Sequence, residues 1–185
     1  MVYTIESKNI MLEVALQALK NGLSYHSFRP IDVQIFKPEL QEIQASFVTL
    51  EKNSQLRGCI GSLEATEPLI LNIAHNAYRA GFKDPRFPPV TTNEIADISL
   101  HISVLSQPVA LPIIDEKDLL NSLQIGTDGL ILQDGAYKST FLPSVWSQLP
   151  TPREFIKQLK LKAGLPANYW SNTIHFYRYK TQLIE

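Results

Sequence analysis

The chain has 185 residues, 44% of them hydrophobic and 19% charged, which gives room for one domain or two small lobes sharing a core and excludes a disordered chain. Seventeen basic residues against eighteen acidic ones leave a net charge of −1, so no diffuse positive field draws in a nucleic-acid backbone. A lone cysteine, Cys59, excludes an internal disulfide and any C-x-x-C zinc or redox site.

The start, Met1-Val2-Tyr3-Thr4-Ile5-Glu6, lacks the basic region and apolar run of a signal peptide. No apolar run approaches the ~20 residues that cross a bilayer. The expectation is a soluble, cytoplasmic protein without membrane contact.

In chain order, 9–21 reads as an amphipathic helix, with Leu12, Ala15, Leu16 and Leu19 on one face and Gly22 placed as its left-handed cap. Residues 36–40 read as irregular. The run 45–50, rich in β-branched and aromatic residues, and the run 56–61 predict two strands joined at Lys52-Asn53-Ser54-Gln55. Thr66-Glu67-Pro68 opens a helix to about Phe82, burying Leu69, Ile73, Ala77 and Ala80.

Three prolines make 84–90 extended. Thr91 and Glu94 have the spacing of a capping box for a short helix. Residues 98–105 alternate with period two, as a half-buried strand does. A short helix over 115–123 precedes a hairpin over 130–141, whose Asp134-Gly135 pair predicts a type I′ turn. Thr151, Pro152 and Glu154 start a helix that Gly164 and Pro166 stop, and 173–179 reads as a last strand.

Helices and local hairpins without a βαβ repeat predict an α+β fold of largely antiparallel sheets with flanking helices. No linker composition separates parts of the chain, so any two lobes are interlocked within one domain, 1–185.

Two stretches carry groups suited to chemistry. In Leu56-Arg57-Gly58-Cys59-Ile60-Gly61, strand alternation places Arg57 and Cys59 on one face roughly 6–7 Å apart. A guanidinium at that range favours thiolate over thiol. Glycine within a strand marks a bulge or a close approach of backbone or ligand, which makes Gly58 and Gly61 candidate ligand positions. Against this stands the reading of Cys59 as a small buried residue and Arg57 as a structural ion-pair partner.

In Lys83-Asp84-Pro85-Arg86-Phe87-Pro88-Pro89, prolines hold Asp84 and Arg86 stiffly, which suits an anionic or zwitterionic small molecule. The same pair also reads as a backbone cap and an ion pair. The four histidines, His26, His75, His101 and His175, have no metal-ligand spacing. His75 reads as a solvated rim residue, and Lys157, Lys160 and Lys162 as a solvated face of the last helix. No metal and no cofactor is proposed by any motif.

With these residues in view, the chain resembles the AMMECR1 domain family. The L-R-G-C-I-G stretch is complete, and Asp84-Pro85-Arg86-Phe87-Pro88-Pro89-Val90, Gly129-Leu130-Ile131-Leu132, Thr140-Phe141-Leu142-Pro143 and Lys162-Ala163-Gly164-Leu165-Pro166 match in order. Ser144 departs from the family's usual glutamine. The resemblance implies a two-lobed α+β fold in which the larger lobe carries both termini and the hexapeptide lies near the junction of the lobes. It also implies the A component of a prokaryotic system whose other members are a Memo-like protein and a radical S-adenosylmethionine protein.

Two functions follow from these readings. In one, an inter-lobe cleft lined by Arg57, Cys59, Asp84 and Arg86 binds or modifies a small molecule, with Cys59 as nucleophile or carrier. In the other, the chain is a non-enzymatic interaction module and the hexapeptide is structural.

Overall fold

The computed structural model describes residues 3–185. The chain divides into two compact units, one of Met1–Leu105 with Gln182–Glu185 and one of Ser106–Thr181.

The first unit opens with helix α1 (Ile5–Tyr25), capped by the Thr4 hydroxyl, which accepts from the Ser7 amide at 3.1 Å. Its buried stripe is Met11, Ala15, Ala18, Leu19 and Gly22, a 3.6-residue pattern rotated from the expected one, so that Leu16 is exposed. Gly22 is not the cap. It lies inside the helix, where a Cβ would overlap the Phe82 ring, and the left-handed cap is His26 at φ 55°. One turn of helix, α2 (Pro38–Gln41), replaces the irregular stretch expected there.

Strands β1 (Ser46–Lys52) and β2 (Gln55–Gly61) form the expected hairpin. Asn53 and Ser54 both have positive φ, the mark of a type I′ turn. Helix α3 (Leu69–Phe82) buries Leu69, Ile73, Ala77 and Ala80 as the periodicity predicts. Strand β3 (Ile98–Leu105) follows, and β8 (Thr181–Ile184), which the sequence reading missed, completes a sheet of order β2-β1-β3-β8. The inner face of this sheet carries Val48, Leu50, Ile102 and Val104 into a core with Met11 and Leu19 of α1 and Ile70 and Ile73 of α3. Each such side chain contributes about 1.5–3 kcal/mol by leaving water.

The second unit holds β4 (Val109–Ala110), α4 (Glu116–Ser122), β5 (Gly129–Asp134), β6 (Tyr137–Phe141), α5 (Pro152–Lys162) and β7 (His175–Tyr179). Its sheet order is β4-β7-β5-β6, and every neighbour pair is antiparallel. The Thr151 hydroxyl caps α5, and Gly164 at φ +83° ends it, as expected.

The β5–β6 hairpin turns one residue later than predicted. Asp134 pairs with Tyr137, and only Gly135 of the two loop residues has positive φ, so the turn is of the II′ kind. Lys160 is fully buried, its ammonium 3.0 Å from Glu116; the lysine run on α5 is therefore not a uniformly solvated face. Trp146 stacks on Phe155 with ring centroids 3.9 Å apart and closes this second core.

Gly58 sets how closely α3 approaches the first sheet, since a Cβ there would overlap the Ala80 carbonyl oxygen, a backbone atom that cannot rotate away. Gly58→Ala is expected to cost about 2 kcal/mol or more, read as a lowered urea midpoint at unchanged slope. An unchanged midpoint would contradict this packing.

Candidate functional site

Strand β2 is an edge of the first sheet, so one side of its backbone has no strand partner and must find other acceptors and donors. At Cys59 those partners come from the loop after α3. The Cys59 amide donates to Asp84 Oδ2 at 2.9 Å, and Arg86 Nη2 donates to the Cys59 carbonyl at 3.2 Å. The loop is itself fastened: Arg86 Nε and Nη2 grip the two Asp84 oxygens at 2.9 and 2.7 Å. The Arg86 amide adds a bond at 3.1 Å. The stretch expected to be extended is a turn at this point, closed by the Phe87 amide on the Asp84 carbonyl.

The Asp84 side chain is 2% exposed and that of Arg86 54%. The guanidinium hydrogen bond holds the Asp84 carboxyl well below the usual carboxylate range, against burial, which acts the other way; the Cys59 and Arg86 amides reinforce it.

The Cys59 side chain is half-buried. Cys59 stands opposite Thr49 of β1, and the Thr49 hydroxyl donates to the sulfur at 3.2 Å. Arg57 follows a different path. The β1–β2 register passes from Leu50↔Gly58 to Glu51↔Leu56, so Arg57 is the extra residue of a β-bulge, and strict alternation with Cys59 is interrupted there. Its Nε donates to Glu94 Oε1 at 2.6 Å, with the two side chains 11% and 14% exposed. Its guanidinium lies 5.9 Å from the Phe87 ring centroid, and Nη1 and Nη2 are buried without hydrogen-bond partners. Burial would raise Glu94, but the bonds from Arg57 and Thr91 carry its carboxyl below its ordinary value.

The structure brings Cys59, Asp84 and Arg86 together, and the guanidinium bonded to the Cys59 backbone is that of Arg86. Gly61, like Gly58, has no side chain because protein fills the space, here the Phe47 ring and the Ser46 carbonyl. All six residues belong to the first unit.

Glu94 was missed as the partner of Arg57. Its spacing from Thr91 suggested a capping box for a short helix. A short 3-10 helix, Ile95–Asp97, does follow, but without a side-chain cap, and the Thr91 hydroxyl bonds to the Glu94 carboxylate at 3.1 Å instead. His101 opposes Thr49 from the far side. That is two strand spacings, roughly 9–10 Å, from Cys59, and its ring nitrogens face Glu51 and Glu185. The cluster thus offers a positioned thiol and a half-exposed guanidinium. Among the described residues, no group of three or more His, Cys, Asp or Glu side chains could hold a metal ion, and no helix is long and apolar enough to cross a membrane.

A family model described as AMMECR1 matches residues 12–184. A Methanocaldococcus jannaschii relative, Protein MJ0810, is 33% identical over 190 residues, covering 98% of this chain and 91% of its own. Protein MK0488 of Methanopyrus kandleri is 32% identical, covering 98% and 89%. Among solved structures, the crystal structure of an uncharacterised Pyrococcus horikoshii protein, PH0010, superposes with a TM-score of 0.83 at 29% identity, covering 94% of this chain and 88% of that one.

Because the Asp84 carboxyl is depressed in the folded state, its stabilising share is fully present above the unfolded carboxylate value and is lost as pH falls below ~4 toward the lower folded value. Urea unfolding from pH 5 down to 2 is expected to show Asp84→Asn starting less stable and losing less than the parent. Parallel curves for the two proteins would contradict the assignment.

Proposed function

This chain belongs to the AMMECR1 family, and on that premise we propose that it is a small-molecule-binding or modification component that works at its L-R-G-C-I-G segment. The observation that carries this reading is the holding of the Cys59 peptide from both sides by Asp84 and Arg86 while the side chain stays partly exposed. A sulfur fixed in this way loses little further entropy on engaging a ligand. The half-exposed Arg86 keeps Nε and Nη2 on Asp84 and the Cys59 carbonyl and leaves Nη1 for an anionic or zwitterionic group. In this proposal the protein acts in the cytoplasm with Memo-like and radical S-adenosylmethionine proteins, a partnership that rests on the family resemblance.

A second reading has its own support. Gly58 fits under Ala80, Gly61 against Phe47, and Arg57 is tied to Glu94. These are the marks of a folding element, and they favour a non-enzymatic interaction module whose partner surface lies elsewhere.

Iodoacetamide separates the two, because the thiolate sulfur must displace iodide to form the new S–C bond. The proposal predicts that Cys59 is labelled in the folded protein at a rate that rises with pH. A thiol inert until urea is added would contradict it and leave the structural reading.

A further inference from the structure

Helix α3 carries Asn72, His75, Asn76 and Arg79 at the i, i+3, i+4 and i+7 positions of a single face. With Ser62 and Glu67 they line a cavity of about 280 Å³.

The deep wall of this cavity is rigid. Asn72 and Asn76 are 3% and 2% exposed. Asn72 Oδ1 accepts from the Ser46 amide at 2.9 Å, the Ser46 hydroxyl at 2.7 Å and Asn76 Nδ2 at 2.9 Å. Asn76 Nδ2 also donates to the Ser46 carbonyl at 3.0 Å. These bonds fix the Asn72 amide so that its Nδ2 donates to Glu67 Oε1 at 3.0 Å. The other oxygen, Glu67 Oε2, lies 2.8 Å from His75 Nδ1.

A relay results in which a buried amide orients a carboxylate and the carboxylate orients an imidazole. An ionised carboxylate only accepts, so Nδ1 carries the proton and Nε2 of the neutral ring presents a lone pair. The Phe28 ring, 4.0 Å away between centroids, holds the imidazole from one side. The ring is nonetheless 37% exposed, so it is reachable. Arg79 stands one turn further, roughly 6 Å along the helix axis. It is exposed, lines the same cavity and makes no ion pair among the described residues.

We infer that this cavity binds a small molecule carrying a phosphate or carboxylate group and a nearby hydroxyl, with the anion on Arg79 and the hydroxyl donating to Nε2 of His75. Arg79 supplies the fork that recognises the anion. His75 supplies the acceptor: its Nε2 lone pair takes a hydrogen bond from the hydroxyl, and the Glu67 carboxylate on Nδ1 fixes the ring for it. A cavity of this volume, at the small end of ligand sites, suits a molecule of about three to six carbons. Nothing in this inference uses Cys59.

The test has two readouts on the full chain. Long-range ¹H–¹⁵N spectra of the imidazole report the tautomer directly, and the Nδ1–H form of His75 is expected; an Nε2–H ring would overturn the assignment of His75 Nε2 as the acceptor. Titration with glycerol 3-phosphate, inorganic phosphate and glycerol then reads binding at the His75 ring signals. A saturable shift is expected with glycerol 3-phosphate, a weaker one with phosphate and none with glycerol. Arg79→Gln, at an exposed position, is expected to weaken glycerol 3-phosphate binding at least tenfold without moving the unfolding midpoint. An equal response in Arg79→Gln, or no saturable shift into the tens of millimolar, would overturn the proposal. The Cys59 labelling rate stands apart from either outcome.

Discussion

A buried carboxylate governs the first unit's exposed edge. Asp84 gives up water almost completely, which is costly for a charge unless every lone pair is met, and here three amide or guanidinium groups meet them. In return the Cys59 amide on edge strand β2 gains the acceptor that a neighbouring strand would have supplied, and Arg86 completes the match at the carbonyl. One ion pair thus stands in for a strand at that residue. The edge is closed to pairing with another chain there, while the sulfur on the strand's face is left with the Thr49 hydroxyl.

This arrangement depends on how tightly α3 sits on the sheet. The loop that carries Asp84 leaves the end of α3 immediately after Phe82 and Lys83, so the height of the helix above β2 decides whether the carboxylate reaches the Cys59 amide. Gly58 sets that height through its contact with Ala80, and Gly22 lets α1 close against Phe82 from the other side. The same helix holds the Asn72–Glu67–His75 relay toward its opposite end. A single rigid rod therefore spaces two polar clusters of different chemistry, one around a thiol and one around an imidazole.

Much of this was legible in the residues. Capping at Thr151, the β1–β2 turn and the buried positions of α3 follow from local periodicity and turn chemistry, and the two stretches that meet at Cys59 both stood out. What was hidden was of a different kind. The partner of Asp84 is a backbone amide, identical at every residue and so invisible to side-chain patterns. The bulge at Arg57 is a property of the register with β1, not of β2 alone. Glu67 lies before α3 begins, which made His75 look like a rim residue because its orienting carboxylate is off the helix. Strands β4 and β8, of two and four residues, are too short to leave a period-two signal.

The central claim is that Asp84 is the acceptor of the Cys59 amide, and native-state hydrogen exchange at that amide tests it most directly. Protection close to that of the core strand β1 is expected in the parent, with selective loss at residue 59 in Asp84→Ala while Val48 and Leu50 stay protected. Rapid exchange of the Cys59 amide in the parent, or protection that survives the substitution, would contradict the account.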